Sequence, residues 1–370
     1  MKNRIFSLML LMVSAMSFAQ QSEAIPAIGL ATKANSNFER IEFERHPVGD
    51  SDIEIEILYA GICHSDFMVK NGPNQVIPGH EIVGKVTAVG DDVKDFKVGD
   101  YAGVGCMVNS CGECKYCEAG KEQYCTKGTV FTYGFPDRFH GGEITQGGYS
   151  NIITVSDEFA INVPKTADIK RTAPLMCAGI TTWSPIKFSE VEKGDVVGVA
   201  GFGGLGHMAV QYLVDLGAEV TVFDITDEKA SDAKRLGAVD YVNVKSTEDF
   251  SALSDKFDFI ISTIPADYDP MMYVKMLKMD GGELAIVGLP ANSSIPVSPL
   301  VMQSAHRKVY GSLIGGIPET QEMLDYSIKH NIYPEVEVIK AEPTEVDEAY
   351  KNIDEGKVKF RYVIDMQTIK

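Results

Sequence analysis

Val196-Val197-Gly198-Val199-Ala200, followed at once by Gly201-Phe202-Gly203-Gly204-Leu205-Gly206, is the stretch that decides the fold of this 370-residue chain. Five residues of buried-strand type run into a glycine-rich turn. Leu205, Met208, Ala209, Tyr212, Leu213 and Leu216 then recur at helical spacing, and Gly217 sits where a helix C-cap belongs. The G-x-G-G-x-G pattern is weak alone, but between a strand and a helix it has the context its chemistry demands. Glycines let the backbone turn tightly and approach a pyrophosphate, whose charge faces the helix N-terminus. Gly201, Gly203, Gly204, Leu205 and Gly206 are therefore the expected dinucleotide cradle. Glu219 to Phe223 reads as the next strand, closed by Asp224 about twenty residues further on. A carboxylate there accepts hydrogen bonds from a ribose 2′-OH and repels a 2′-phosphate. The expected cofactor is thus NAD(H), with NADP(H) a lesser alternative. Lys229 reads as a second ribose contact, or equally as an ordinary exposed lysine.

Outward from this core the alternation continues. Asp227–Leu236 reads as a helix ending in Gly237, Phe257–Ser262 and Glu283–Gly288 as apolar strands, and Asp269–Met279 as the helix between them. Such alternation predicts an α/β fold with a doubly wound parallel sheet covered by helices on both faces. Residues 24–175 differ, with short strands and scattered glycines that predict an irregular, barrel-like domain. Asp52–Tyr59 alternates with Ile53, Ile55 and Ile57 on one face; Ile82–Val89 and Tyr101–Val104 are further strands. The tail after Pro318 reads as two helices and the strand Val358–Ile364. The expected division is 20–177 with 314–370 in one domain and 178–313 in the dinucleotide domain.

The formal net charge of −18 disfavours nucleic acid and anionic membranes as partners, because like charges repel. The first nineteen residues read as a secretory signal peptide: Lys2 and Arg4, the apolar run Ile5–Met16, then small residues before Gln20. An exported, periplasmic location follows. The run is too short to span a bilayer. The competing reading is an apolar extension or a start placed too early, with Met9, Met12 and Met16 as later starts, and the location is then cytoplasmic.

Four of the seven cysteines form Cys111-x2-Cys114-x2-Cys117-x7-Cys125. Two-residue spacers let consecutive thiolates turn toward one centre, and four sulfurs close a tetrahedral zinc shell, so the ion expected there is structural. Disulfides are the competing reading, and cysteines three apart bridge awkwardly; an iron–sulfur centre is the lesser one. Three more residues fit an open site: Cys63 in GICHSD, His80 in PGHE, and Cys177 in PLMCAG. Each alone has a bland explanation as a core residue. Together they make a Cys-His-Cys set that leaves a fourth position open.

At this point the sequence resembles the zinc-containing medium-chain dehydrogenases, and among them the cinnamyl alcohol dehydrogenase-like branch. The resemblance covers roughly residues 24–370 and rests on GICHSD, PGHEIVGKVTAVG, the CGECKYCEAGKEQYC loop, TQGGYS, PLMCAGITTWSP, GFGGLGH and VKFRYVID. It implies a GroES-like catalytic domain beside a Rossmann domain, two zinc ions per chain, and a catalytic zinc held by Cys63, His80 and Cys177, with Glu81 as a transient fourth ligand. It implies that Asp66 orients His80, that Ser65 passes the alcohol proton, that His64 and Arg361 face the cofactor pyrophosphate, and that Thr181 packs on the nicotinamide. The implied reaction interconverts primary alcohols and aldehydes, aromatic or medium-chain: zinc lowers the pKa of the alcohol oxygen while its carbon gives a hydride to the nicotinamide. A homodimer acting on small alcohols or aldehydes is implied as well.

Two positions depart from the branch. Met68 stands where many relatives carry a relay histidine, and methionine relays no proton. Asp224 stands where the branch usually carries a small hydroxyl residue and uses NADP. Two other functions compete with this one. A polyol or sugar dehydrogenase of the same superfamily would need a polar pocket, whereas the pocket candidates Phe131 and Trp183 are aromatic or else core. An exported, non-catalytic zinc- or nucleotide-binding relative would hold one zinc per chain.

Overall fold

The computed structural model describes residues 24–70, 72–289 and 296–370. The expected signal segment lies outside them. Among the described residues, no helix is long and apolar enough to cross a membrane.

The strand Val196–Ala200 lies in the middle of a six-stranded sheet whose pairs are all parallel. The spatial order is Asp240–Asn243, Glu219–Asp224, Val196–Ala200, Phe259–Ser262, Glu283–Ile286 and Lys308–Gly311. This is the doubly wound order, in which the chain moves out one way, returns to the centre, and moves out the other way. A strand paired on both sides and covered on both faces must be apolar throughout. Val197 to Ala200 are all buried, as are all four residues of Phe259–Ser262.

The second sheet has seven strands. Ala160–Val163, Tyr101–Val104, Ile82–Val89, Asp52–Gly61, Arg361–Asp365 and Val336–Lys340 follow one another, and Ile152–Ser156 pairs with Asp52–Gly61. Ile53, Ile55 and Ile57 are buried, as their alternation predicts. Register shifts along Asp52–Gly61 bend this sheet toward a barrel. The two tail strands belong here, so the chain leaves this sheet, builds the parallel one, and returns. The helix Ala178–Phe188 joins the halves and packs on the helices Gly206–Asp215 and Ile317–His330.

Of the strands that the pattern reading did not single out, Asp240–Asn243, Lys308–Gly311 and Val336–Lys340 share one cause. All lie at sheet edges, where one side meets solvent and no apolar run is required. The helix expected over Asp227–Leu236 forms only over Ala230–Arg235, because Asp227 to Lys229 stay in the turn after the strand. The last strand starts at Arg361 rather than Val358. Trp183 is core: its ring packs against Tyr212 and Tyr326, with centroids 5.3 and 4.5 Å away.

Candidate active site

Three chain segments bring one thiol, one imidazole with its neighbouring carboxylate, and a second thiol together. Cys63 follows the strand Asp52–Gly61 and opens the turn His64–Asp66. His80 and Glu81 immediately precede the strand Ile82–Val89. Cys177 precedes the helix Ala178–Phe188. Ligand atoms of Cys63, His80, Glu81 and Cys177 lie within 4.8 Å of one another, and all four residues are buried. The sulfurs of Cys63 and Cys177 are 4.0 Å apart.

Asp66 holds this arrangement in place. It is fully buried. Its Oδ2 accepts hydrogen bonds from the Cys63 N–H and the Tyr149 hydroxyl, both at 2.9 Å. Its Oδ1 accepts from the Gly79 N–H at 3.3 Å and faces His80 Nδ1 at 3.1 Å. A carboxylate at Nδ1 fixes the proton there and leaves Nε2 for a metal. Gly79 has φ +104°, and a Cβ there would meet Tyr149 at 2.5 Å, so this turn needs glycine. The contact with Cys177 and the nearby His80 charge hold the Cys63 thiol well below its usual range, against the effect of burial. Hydrogen bonds to Cys106 and Cys63 push Cys177 up. A thiolate, a fixed imidazole and a second sulfur make a donor set that fits zinc.

Ser65 Oγ lies 3.8 Å from Cys63 Sγ, and Thr181 Oγ1 lies 3.8 Å from Cys177 Sγ. The structure therefore brings both hydroxyls to the cluster of candidate ligands. His64 is exposed and stacks on Phe67, with ring centroids 5.1 Å apart. Met68 is 69% exposed. Glu81 and Arg361 form a buried ion pair through Arg361 Nη2. Burial works against the guanidinium charge, but Glu81 and Cys63 more than restore it, and its pKa is raised. Gly61 makes room for this pair, since a Cβ there would meet Glu81 Oε2 at 2.1 Å.

Arg361 also reaches the glycine turn: a Cβ on Gly204 would sit 2.9 Å from its Cδ. Its Nε is buried and has no partner among the described residues. A Cβ on Gly206 would meet the Gly201 carbonyl at 2.0 Å, whereas Gly203 faces open space. Thr263 Oγ1 donates to the Gly201 carbonyl at 2.9 Å and fixes the start of the turn. Leu205 immediately precedes the helix Gly206–Asp215. An unpartnered guanidinium nitrogen beside an open, glycine-lined turn fits an anionic pyrophosphate. Asp224 ends its strand half-buried, and its Oδ1 accepts from the Ile225 N–H at 2.7 Å. Lys229 lies over the Phe360 ring, 5.7 Å from the centroid.

In the cysteine loop, the sulfurs of Cys111, Cys114, Cys117 and Cys125 lie within 4.8 Å of one another. None of the four is in a disulfide. Cys117 Sγ is 3.5 Å from Cys114 Sγ and 3.9 Å from Cys111 Sγ. Backbone N–H groups of Cys117 and Thr126 pull the Cys114 thiol down to about 5. Burial pushes the Cys117 thiol up to about 11; four converging sulfurs fit a closed zinc shell. Glu122 Oε2 accepts from the Ile317 N–H at 2.9 Å and ties the loop to the helix Ile317–His330.

Four residues of the site were not foreseen. Tyr149 bonds to Asp66 from within the quoted TQGGYS segment, and only the fold shows where its hydroxyl goes. Cys106 meets Cys177, although it precedes the four-cysteine motif with no spacing signal of its own. Tyr133 lies over His80, with ring centroids 5.6 Å apart. His207 sits under the glycine turn: Nδ1 donates to the Gly203 carbonyl at 3.2 Å, the ring stacks on Phe360, and Nε2 has no partner among the described residues. Burial pushes its pKa down to about 3. Phe131, expected near the substrate, is half-buried against Phe135 at 4.8 Å between centroids.

Residues 49–165 match the alcohol dehydrogenase GroES-like domain, and residues 204–328 match the zinc-binding dehydrogenase domain. A probable formaldehyde dehydrogenase of Bacillus subtilis is 44% identical over 91% of this chain and 96% of its own length. An NADP-dependent alcohol dehydrogenase of Mycolicibacterium smegmatis is 43% identical over 92% and 97%. Among solved structures, the cinnamyl alcohol dehydrogenase of Helicobacter pylori, in complex with NADP(H), is 50% identical and superposes with a TM-score of 0.88, covering 94% of this chain and all of that one. With its two cysteine-bearing centres and glycine turn so placed, the chain belongs to the zinc-type medium-chain alcohol dehydrogenases, in their cinnamyl alcohol dehydrogenase-like branch.

Proposed function

We propose that this chain interconverts primary alcohols and aldehydes, aromatic or medium-chain, and prefers NAD(H). The convergence of Cys63, His80, Glu81 and Cys177 within 4.8 Å carries the reading. When bound, zinc supplies a Lewis acid and the nicotinamide a hydride donor or acceptor. Cys63, His80 and Cys177 are the residues to hold the catalytic zinc, and Glu81 stands one position from His80 in the grip of Arg361. Cys111, Cys114, Cys117 and Cys125 are the residues to hold the structural one.

The remaining work falls to ordinary side chains. Asp66 keeps the His80 proton on Nδ1. Tyr149 and the Cys63 N–H keep Asp66 in place. Ser65 takes the alcohol proton at Oγ and returns it in the reverse direction. Met68, exposed in the next turn, offers that proton no acceptor, so it passes to solvent or toward His64. Thr181 positions the nicotinamide, and the guanidinium of Arg361 meets the pyrophosphate. Tyr133 gives the neighbourhood of His80 an aromatic character suited to aromatic aldehydes.

Asp224 supports NAD(H). Its carboxylate stands at the end of the second strand, where a 2′-phosphate would be repelled. Two of the relatives named above, the NADP-dependent enzyme of Mycolicibacterium smegmatis and the Helicobacter pylori enzyme in complex with NADP(H), point the other way, so the position is open to direct test. With cinnamaldehyde or benzaldehyde, kcat/KM is expected to favour NADH over NADPH. Asp224→Ser should move that ratio toward NADPH by about tenfold or more, roughly 1.4 kcal/mol. A ratio unmoved by the substitution would remove Asp224 from cofactor choice. A homodimer and export through the first nineteen residues complete the proposal. Sedimentation showing only single chains would refute the first, and a mature protein still starting at Met1 the second.

A further inference from the structure

Away from both cysteine-bearing centres, three side chains from distant segments meet. His46 follows the strand Glu39–Arg45, Asp52 opens the strand Asp52–Gly61, and His140 lies in the hairpin between Pro136–Asp137 and Glu143–Ile144. Their ligand atoms lie within 4.8 Å of one another. The two imidazoles stack face to face, with centroids 3.7 Å apart and planes 10° from parallel, so one ring must turn out of the stack for both in-plane lone pairs to meet at one ion. Both address one carboxylate oxygen: Asp52 Oδ2 is 3.7 Å from His140 Nε2 and 3.8 Å from His46 Nδ1.

These separations are too long for hydrogen bonds. They are close to the spacing of two ligands on one tetrahedral zinc, about 3.4 Å for bonds of 2.0–2.1 Å. The wider surroundings are also those of a metal site. Asp137 Oδ2 accepts from His140 Nδ1 at 2.7 Å, which leaves Nε2 directed at Asp52. The same carboxylate-to-Nδ1 contact orients His80 at the catalytic cluster. Asp52 and Asp137 are 6% and 7% exposed, so two carboxylates are held in place with little solvent. Gly49 N–H donates to Asp52 Oδ2 at 3.0 Å and positions that oxygen. His46 Nδ1 also lies 3.0 Å from the Pro47 carbonyl, and binding through Nδ1 requires its proton to move to Nε2. The group opens into a cleft lined by Glu44 and Glu143, which gives an anionic route of entry and room for water as a further ligand.

We propose that His46, Asp52 and His140 form a third divalent-metal site, with Asp137 orienting His140, suited to zinc or another borderline transition metal. Two imidazole nitrogens and a carboxylate oxygen match that class of ion better than magnesium or calcium. The site joins the hairpin to the sheet. The segment leading into that hairpin carries Tyr133, whose ring lies over His80, so metal there would steady one wall of the active site.

The test uses the full chain with both cysteine-bearing centres loaded. After dialysis against zinc, metal analysis should give three ions per chain for the wild type and two for His140→Gln and His46→Gln, with affinity for the third ion weakened at least tenfold. Cobalt added to the chain that holds zinc only at its two cysteine-bearing centres should bind one equivalent with visible absorption but no sulfur-to-metal charge-transfer band. The melting temperature should rise with added zinc in the wild type and not in the variants. Two ions in the wild type would overturn the site. So would a third ion that survives both substitutions, or one whose cobalt spectrum shows sulfur.

Discussion

The two cysteine-bearing centres are built in opposite ways. Cys111, Cys114, Cys117 and Cys125 belong to one loop, and short-range chain geometry alone brings them together. Cys63, His80 and Cys177 come from three segments, and Cys63 and Cys177 are 114 positions apart. They meet only because the seven-stranded sheet and the helix Ala178–Phe188 are both in place. The local centre is thus a fixture of the loop, and the distributed one is a product of the fold. Metal at the first should govern stability; metal at the second should govern chemistry.

A pair of substitutions tests that division most sharply. Cys63→Ala should lower kcat/KM on the order of 10³-fold, as expected when a Lewis acid worth several kcal/mol is lost. After dialysis against zinc-free buffer it should leave one tightly held zinc per chain, with nearly unchanged melting. Cys114→Ser should lose the other zinc and at least about 3 kcal/mol of stability, while the folded fraction still turns over. Equal losses of stability from both would break the division. Next in size is Asp66→Asn. An amide keeps the shape, but it removes the charge that draws the His80 proton onto Nδ1. Zinc affinity at the catalytic centre should fall about 10- to 100-fold, with the four-cysteine centre untouched. Titration with a competing chelator reads both.

The smallest expected effect concerns the glycine turn. His207 is buried and neutral, with its pKa lowered to about 3 by burial. Below about pH 6.5 the unfolded chain protonates this residue and the folded one does not. Stability is therefore full above pH 6.5 and falls as pH drops toward 3, by at most about 1.4 kcal/mol per unit from this residue. His207→Asn should flatten that slope between pH 6.5 and 4.5 in denaturant titrations. An unchanged slope would mean that the imidazole is protonated in the fold.

The same contrast between local and distributed features governs what could be read from the sequence. The parallel sheet was legible because Val196–Ala200 is apolar on both faces and is followed at once by its glycine turn. The edge strands Lys308–Gly311 and Val336–Lys340 were not, because half their surface meets solvent and carries no periodic signal. The four-cysteine loop was legible from spacing. Cys63, His80 and Cys177 could be grouped by ligand type, but their spacing could not show that they converge; the structure brings them within ligand distance. Tyr149, Cys106 and His207 stayed hidden because each acts through a neighbour distant in sequence or through a backbone carbonyl. Trp183 shows the converse: its type pointed to a pocket, and packing between Tyr212 and Tyr326 made it core.

The most direct test of the account is a combined measurement on the mature chain dialysed against zinc-free buffer: tightly bound zinc per chain, and absorbance at 340 nm with cinnamaldehyde and NADH. The account predicts two tightly held zinc ions and steady NADH oxidation, both reduced by Cys63→Ala to one ion and near-background turnover. One zinc in the wild type, with no turnover of any aldehyde on either nicotinamide cofactor, would contradict it.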